Sequence, residues 1–492
     1  MRLTPELARW QEVIEQHAKE YGLDGYETIF ELLSYDELNE VASFGGFPTR
    51  YPHWRFGMQY EQLSKGYEFG LSKIYELVIN NDPCYAYLMT SNPLVDQKLV
   101  MSHVYGHNDF FKNNAWFAPT NRKMMDEMAN HATKVRRLVD RIGLEKVEEF
   151  IDTALSLENL IDRMSPYRGS TRSVPNKNEP ASTDPHRLPS KDYMESFINP
   201  PEVMEQERAR REQAEEEKQK QSMPRPERDI LSYLIENAPL QSWQVEILEI
   251  VRSEAYYFSP QGMTKIMNEG WASYWHQKIM TKKVLQDDEV IDYADTMAGV
   301  ISASGAALNP YQIGLALYHD IEERWNTGRH GLDFDNCSDL KTKAAWNTKA
   351  NAGREKIFEV RRHHNDITFI DEFLTEDFCH RHKLFTYGWN PQTQQREITT
   401  RDFPAVKEGL LRQLTNAGDP VIEVVDANFN NRGELVLRHR FEDSELEAPF
   451  AKATLTNVQS IWNRPVLLET VIDDRPVRYR AEEGRIELEN ID

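Results

Sequence analysis

The sequence predicts a predominantly α-helical α+β protein, in which a charged linker splits the helical core and a small α+β domain closes the chain. Three observations carry this. Apolar residues recur three and four apart through most of the first 388 positions, the period of an amphipathic helix. Between residues 166 and 228 that period gives way to Pro, Ser, Asn and charge. After Gly388 it gives way to short β-branched runs that read as strands.

From Pro5 to about Arg163 the chain reads as mainly helical, with Tyr60 to Ile79 and Asn121 to Ile142 as well-defined segments. A loop from Gly45 to Gly57 interrupts them, because two prolines and three glycines within it forbid a regular element. A further helix runs from about Leu94 to Phe111. In the linker, Glu205 to Lys220 holds six Glu against five Lys and Arg with almost nothing apolar. Such a segment cannot bury enough surface to offset its ordering entropy. Helical periodicity resumes at Ile230 and covers Trp243 to Phe258, Thr264 to Met280, Asp287 to Ser302 and Tyr311 to Trp325. Pro420 to Asp426, Glu434 to Phe441, Ala453 to Leu455 and Val466 to Val471 read as strands. The expected organisation is a helical region over 1–165, the linker over 166–228, a second helical region over 229–388 and the α+β domain over 389–492.

With 492 residues the chain can bury a sizeable core. Its formal charge of -22 argues against phosphate backbones and anionic membranes as primary partners, since gripping them takes a basic surface. Three scattered cysteines, Cys84, Cys337 and Cys379, cannot build a disulfide framework, so a reducing, cytoplasmic setting is expected. No apolar run is long enough to span a membrane. There is no Walker A loop, no Gly-x-Gly-x-x-Gly after a strand, no Gly-x-Ser-x-Gly elbow and no Cys-x-x-Cys pair.

The positive signal is His103-Val104-Tyr105-Gly106-His107 on the helix that begins near Leu94. Residues four apart share a helix face, so the two imidazoles can converge on one cation, as the paired histidines of zincin metallohydrolases do. Leu99 and Val100 lie on the same stripe, which turns the histidines toward the core. A buried histidine pair needs partners: either a metal, Zn2+ or another divalent transition metal, or hydrogen bonds that satisfy two core histidines. Asn268-Glu269 resembles the Asn-Glu-x-x-Ser helix that supplies the third ligand in gluzincin peptidases, which makes Glu269 the third candidate ligand and the helical core zincin-like. Ala272 stands at the serine position and Ser273 comes one residue late. His276 lies about 10.5 Å further along the helix axis than Glu269, so it and Asn268 are expected behind the ligands. In the familiar His-Glu-x-x-His helix the glutamate activates the metal-bound water, and here that position is Val104. Asp109, Glu127 and Glu254 are the carboxylates left to take a proton. Arg50, His53 and Arg55 could clamp a carboxylate or phosphate of a substrate; the other reading of that loop, rich in Trp, Tyr and Pro, is packing over a core. Glu127 and His131 read as a surface contact, and Cys379-His380-Arg381-His382 splays its side chains.

The blocks GGFPTRYPHWRFGMQYEQLSKGYEFGLSKIYELVINNDPCYAYL, LVDQKLVMSHVYGHNDFFKNNAWF, NRKMMDEMANHA, EAYYFSPQGMTKIMNEGWASYWH and NDITFIDEFLTEDFC resemble the SpoVR family, stage V sporulation protein R. The resemblance implies a role in forming the spore cortex, a modified peptidoglycan layer, or in stationary-phase and stress responses where members occur in bacteria that do not sporulate. It implies a PrkA-type serine protein kinase and a von Willebrand A-like protein as partners. Together with the histidine pair, this gives a metal-dependent hydrolase of an amide or peptide as the expected function. The alternative is a non-catalytic regulatory or scaffold partner of the kinase pathway.

Overall fold

The structure, a computed structural model, describes residues 2–68, 76–168, 227–302 and 309–491. Most of the linker, including Glu205 to Lys220, lies outside the described residues. The chain forms two compact units, one of Met1–Leu155 with Trp243–Asp419 and one of Ser156–Ser242 with Pro420–Asp492. Both combine helices with small sheets, which is the α+β class expected.

In the first unit, helix Leu94–Asn113 is the central element. Its side chains are buried on every side from Gln97 to Phe111, so it is a core helix rather than an amphipathic one. Helix Lys265–Ile279 packs along it, and helix Pro310–Thr327 packs on the far side of that one. Two close approaches set the spacing. A Cβ on Gly106 would lie 2.6 Å from the Ala272 Cα, and one on Gly270 would lie 2.5 Å from the Gly314 Cα. Carbon atoms rest about 3.5–4.0 Å apart, so only glycine fits at 106 and 270. Asp366 fixes the start of helix Lys265–Ile279 by accepting from the amides of Ile266 and Met267 at 2.8 and 2.9 Å.

The N-terminal region departs from the mainly helical expectation. Thr28–Leu33 and Cys84–Met89 form a parallel pair, in register from Thr28 with Cys84 to Leu33 with Met89, and Leu77–Ile79 adds an antiparallel edge. Short apolar runs such as CYAYLM are buried on both faces and carry no period that separates strand from helix. The segment expected to be helical from Tyr60 to Ile79 is instead a helix over Trp54–Glu68 and a strand over Leu77–Ile79. The end of the Gly45 to Gly57 loop is the first turn of that helix.

In the second unit a five-stranded sheet runs in the order Arg485–Asn490, Arg475–Glu482, Val466–Ile472, Glu434–His439, Ile422–Phe429. Glu434–His439 and Val466–Ile472 are parallel, and helix Ala448–Trp462 makes the crossover between them. Ala453 to Leu455, expected as a strand, lies inside that helix. The last two strands, not among those expected, alternate apolar and charged residues, as in Val477-Arg478-Tyr479-Arg480-Ala481. Among the described residues no helix is long and apolar enough to cross a membrane.

Candidate metal centre

Helix Leu94–Asn113 presents His103 and His107 one turn apart, and their rings meet edge to face at 4.6 Å between centroids. Helix Lys265–Ile279 brings Glu269 to them: its Oε2 lies 3.6 Å from His103 Nε2 and 3.4 Å from His107 Nε2. The fourth member is Glu76, immediately before strand Leu77–Ile79, with Oε1 3.1 Å from His103 Nε2 and 3.5 Å from His107 Nε2. One donor atom from each of the four residues lies within 4.8 Å of every other. The imidazoles are 3–4% exposed and the carboxylates 16%, so whatever water reaches the cluster meets the carboxylates first.

Behind the donors, Asn268 Oδ1 lies 2.9 Å from His107 Nδ1 and His276 Nδ1 lies 2.8 Å from His103 Nδ1. Partners on Nδ1 fix ring orientation and leave Nε2 as the atom aimed at the cluster. His103 Nε2 and Glu269 Oε2 are both buried without a well-directed hydrogen-bond partner. Electrostatics tie the four groups together. Burial disfavours the His107 imidazolium, but Glu269 and Glu76 outweigh it and raise the group to about 10. Burial also works against charge on Glu76 and Glu269, and the two histidines overcome it and hold both carboxyls below the usual range. Burial pulls His276 well below its ordinary value, and the charge on His103 adds to the effect. Tyr311 stands over the same carboxylates, and burial followed by the charge on Glu269 and Glu76 pushes its phenol up.

Of the residues expected here from the sequence, the structure brings together His103, His107 and Glu269, with Asn268 and His276 directly behind them. The three carboxylates expected to take a proton lie elsewhere. Asp109 is on the other side of its helix, fully buried: it accepts from the Asp24 amide and the Trp271 indole, each at 2.8 Å, with Arg361 Nε 3.2 Å away. Burial pushes its carboxyl up to about 6 against the pull of Arg361. Glu254 accepts from Arg50 Nη2 at 2.6 Å and contacts His131 Nδ1 at 3.0 Å. Glu127 is half-buried, 3.9 Å from His131 Nε2, while His131 itself is buried rather than on the surface. The loop cations are also engaged: Arg50 by Glu254, and His53 by Asp152, 3.2 Å from His53 Nε2. The Arg55 amide donates to His53 Nδ1. Arg50 and His53 do line a cleft of about 620 Å³ together with Asp36, Glu40, Tyr51 and Phe56; Arg55 does not.

Glu76 is the donor that sequence reasoning missed. It belongs to no motif, sits in a stretch read as helix, and reaches the histidines only because an edge strand delivers it. Among the described residues no other group of three or more His, Cys, Asp or Glu brings its donor atoms so close.

Residues 2–419 match the family model described as SpoVR like protein, and residues 420–473 match that of the SpoVR-like C-terminal domain. The chain is similar to the Escherichia coli (strain K12) protein YcgB, with 28% identity over 507 residues, covering 96% of this chain and 92% of that one. No solved structure matches.

Proposed function

The chain belongs to the SpoVR family, and from that premise we propose that it is a metal-dependent hydrolase of an amide or peptide bond, with a divalent transition ion, Zn2+ first, held by His103, His107 and Glu269, and with Glu76 beside them. The observation that supports this reading most is the ring of four converging donors, two buried histidines and two half-buried glutamates, in which His103 Nε2 and Glu269 Oε2 lack hydrogen-bond partners of their own. Three of the four cross-distances, 3.4, 3.5 and 3.6 Å, exceed a normal N–H···O bond. A tetrahedral ion with bonds of about 2.0–2.1 Å separates its ligands by about 3.3 Å, close to this spacing.

When bound, the ion would polarise a carbonyl and lower the pKa of a coordinated water. The protein's own residues supply the rest. Asn268 and His276 hold the imidazoles at Nδ1, so that Nε2 faces the cluster and would be free to ligate. Glu269 neutralises charge from the opposite helix. Glu76 is the one carboxylate besides Glu269 in the cluster, and it would take the proton-accepting role that Val104 cannot fill. The chemistry fits the envelope and peptidoglycan role associated with the family.

One observation favours a second reading. Four protein donors can complete a tetrahedral site, the arrangement of structural rather than catalytic zinc. In that case the centre holds the fold of a regulatory partner to a PrkA-type kinase and a von Willebrand A-like protein.

The test is metal analysis of the full chain purified without a histidine tag, beside His103→Ala, Glu269→Gln and Glu76→Gln. One equivalent of metal in the wild type, lost in the first two, supports the centre. Substoichiometric metal that neither substitution changes would refute it. If Glu76→Gln keeps the metal and loses hydrolysis of an amide substrate, Glu76 is the base; if it loses the metal, Glu76 is a ligand.

A further inference from the structure

We propose that Met297 sets the direction of a hydrogen-bond chain, running through His276, that leaves the Nε2 lone pair of His103 free for the metal. The inference rests on the metal-centre reading above and concerns what orients one of its ligands.

Two contacts carry it. His103 Nδ1 and His276 Nδ1 are 2.8 Å apart, a separation at which one nitrogen must donate and the other accept. His276 Nε2 is 3.2 Å from the sulfur of Met297, on helix Val290–Ser302. A thioether has no proton to give, so it can only accept. His276 must then carry its proton on Nε2. A neutral imidazole protonated there is bare at Nδ1, so His276 accepts from His103 Nδ1–H. A neutral His103 with its proton on Nδ1 is bare at Nε2, the atom 3.1 Å from Glu76 and 3.6 Å from Glu269. The opposite direction would set a nitrogen lone pair against the sulfur and place the His103 proton on the ligating atom.

The same direction holds with and without an ion. The two ligating histidines are therefore oriented by different acceptors. His107 has an amide oxygen, Asn268 Oδ1, of the kind that usually stands behind a ligating histidine. His103 has an imidazole nitrogen whose own tautomer depends on a sulfur. His276 is 2% exposed and Met297 is half-buried, so solvent is a poor substitute for the thioether.

The test reads tautomers directly, by long-range 1H–15N spectra of the full chain labelled with 15N-histidine, with the His276 signals assigned by their loss in His276→Gln. In the wild type His276 is expected to be protonated on Nε2, both metal-free and with Zn2+. Met297→Leu keeps the bulk and removes the acceptor: the His276 tautomer should become mixed, and the affinity for Zn2+, measured by chelator competition, should fall 10- to 100-fold, as for other losses behind a ligand. Met297→Gln restores a carbonyl acceptor and should keep both properties close to wild type. A His276 proton on Nδ1 in the wild type overturns the proposal, and so does Met297→Leu with unchanged tautomer and unchanged affinity. If the wild type binds no Zn2+ while His276 is protonated on Nε2, the metal centre fails and the direction of the chain stands. If Zn2+ binds and the tautomer is reversed, this proposal alone fails. Should Met297→Leu not fold, the wild-type and Met297→Gln spectra still decide.

Discussion

Gly106→Ala is the perturbation that most directly tests whether helix spacing builds the centre. The added Cβ would lie 2.6 Å from the Ala272 Cα and 3.2 Å from its Cβ, against a resting distance of about 3.5–4.0 Å. Backbone lies on the far side of the contact, so no side-chain rotation relieves it, and the helices must part by about 1 Å. Gly106 sits between the two histidines, and Ala272 is three residues past Glu269. The parting therefore carries His103 and His107 away from Glu269, from 3.6 and 3.4 Å to about 4.5 Å. That is more than a single ion with bonds of about 2.0–2.1 Å can bridge without rotamer strain. Overpacking of this kind costs about 1–3 kcal/mol. We expect a melting temperature several degrees lower and Zn2+ affinity at least tenfold weaker. Gly57→Ala and Gly409→Ala, both in helices with nothing within 4 Å of the new Cβ, serve as controls and should be neutral or stabilising by about 1 kcal/mol or less. Calorimetry and chelator competition on the three variants decide it. A Gly106→Ala protein with wild-type melting and wild-type Zn2+ affinity would refute the reasoning.

Three further outcomes are expected. Arg50→Ala leaves Glu254 buried with His131 as its remaining partner, and removing one member of a buried pair costs about 3–5 kcal/mol; a loss below about 1 kcal/mol in urea unfolding would contradict this. Asp109→Asn should lower stability without altering metal content, because the Asp109 carboxylate faces Asp24, Trp271 and Arg361 rather than the histidines; metal loss in a folded variant would place it at the centre after all. In the second unit, burial works against charge on Glu469, but Arg478 and Arg438, bonded at 2.7 and 2.9 Å, outweigh it and hold the carboxyl below its ordinary value. A depressed carboxyl stabilises the fold above its unfolded pKa of about 4.3 and loses that contribution as pH falls through the folded value. Glu469→Gln should therefore melt lower than wild type at pH 7, with the gap closing below pH 4; a gap that is constant with pH would exclude the linkage.

What the sequence made legible was local. His103 and His107 are four apart, so helix geometry alone aligns them, and Glu269 is marked by the asparagine before it. Asp109 is the instructive failure. It is two residues from His107, a rotation of about 200° on a helix of 3.6 residues per turn, so its nearness in sequence places it on the opposite face. Glu76 was hidden for a different reason. Its contact with the histidines depends on the antiparallel pairing of Leu77–Ile79 with Cys84–Met89, a register that no short-range pattern encodes. The buried parallel strand Thr28–Leu33 was lost with it.

The departure from the gluzincin-like pattern has a physical basis in the same packing. Ala272 stands where that pattern has serine, and its Cα is the atom against which Gly106 is pressed. A larger side chain at 272 would crowd the very contact that brings the two helices into register. Val104, one residue after the first histidine, is completely buried in the hydrophobic core, where an unpaired glutamate would be costly. The valine and the alanine thus belong to one solution: helices packed closely enough for the donors to converge, with the second carboxylate delivered from a strand instead of from the histidine helix. Charge balance follows from that choice. The two carboxylates stand against the two imidazoles, and each pair holds the other toward its charged form against the cost of burial.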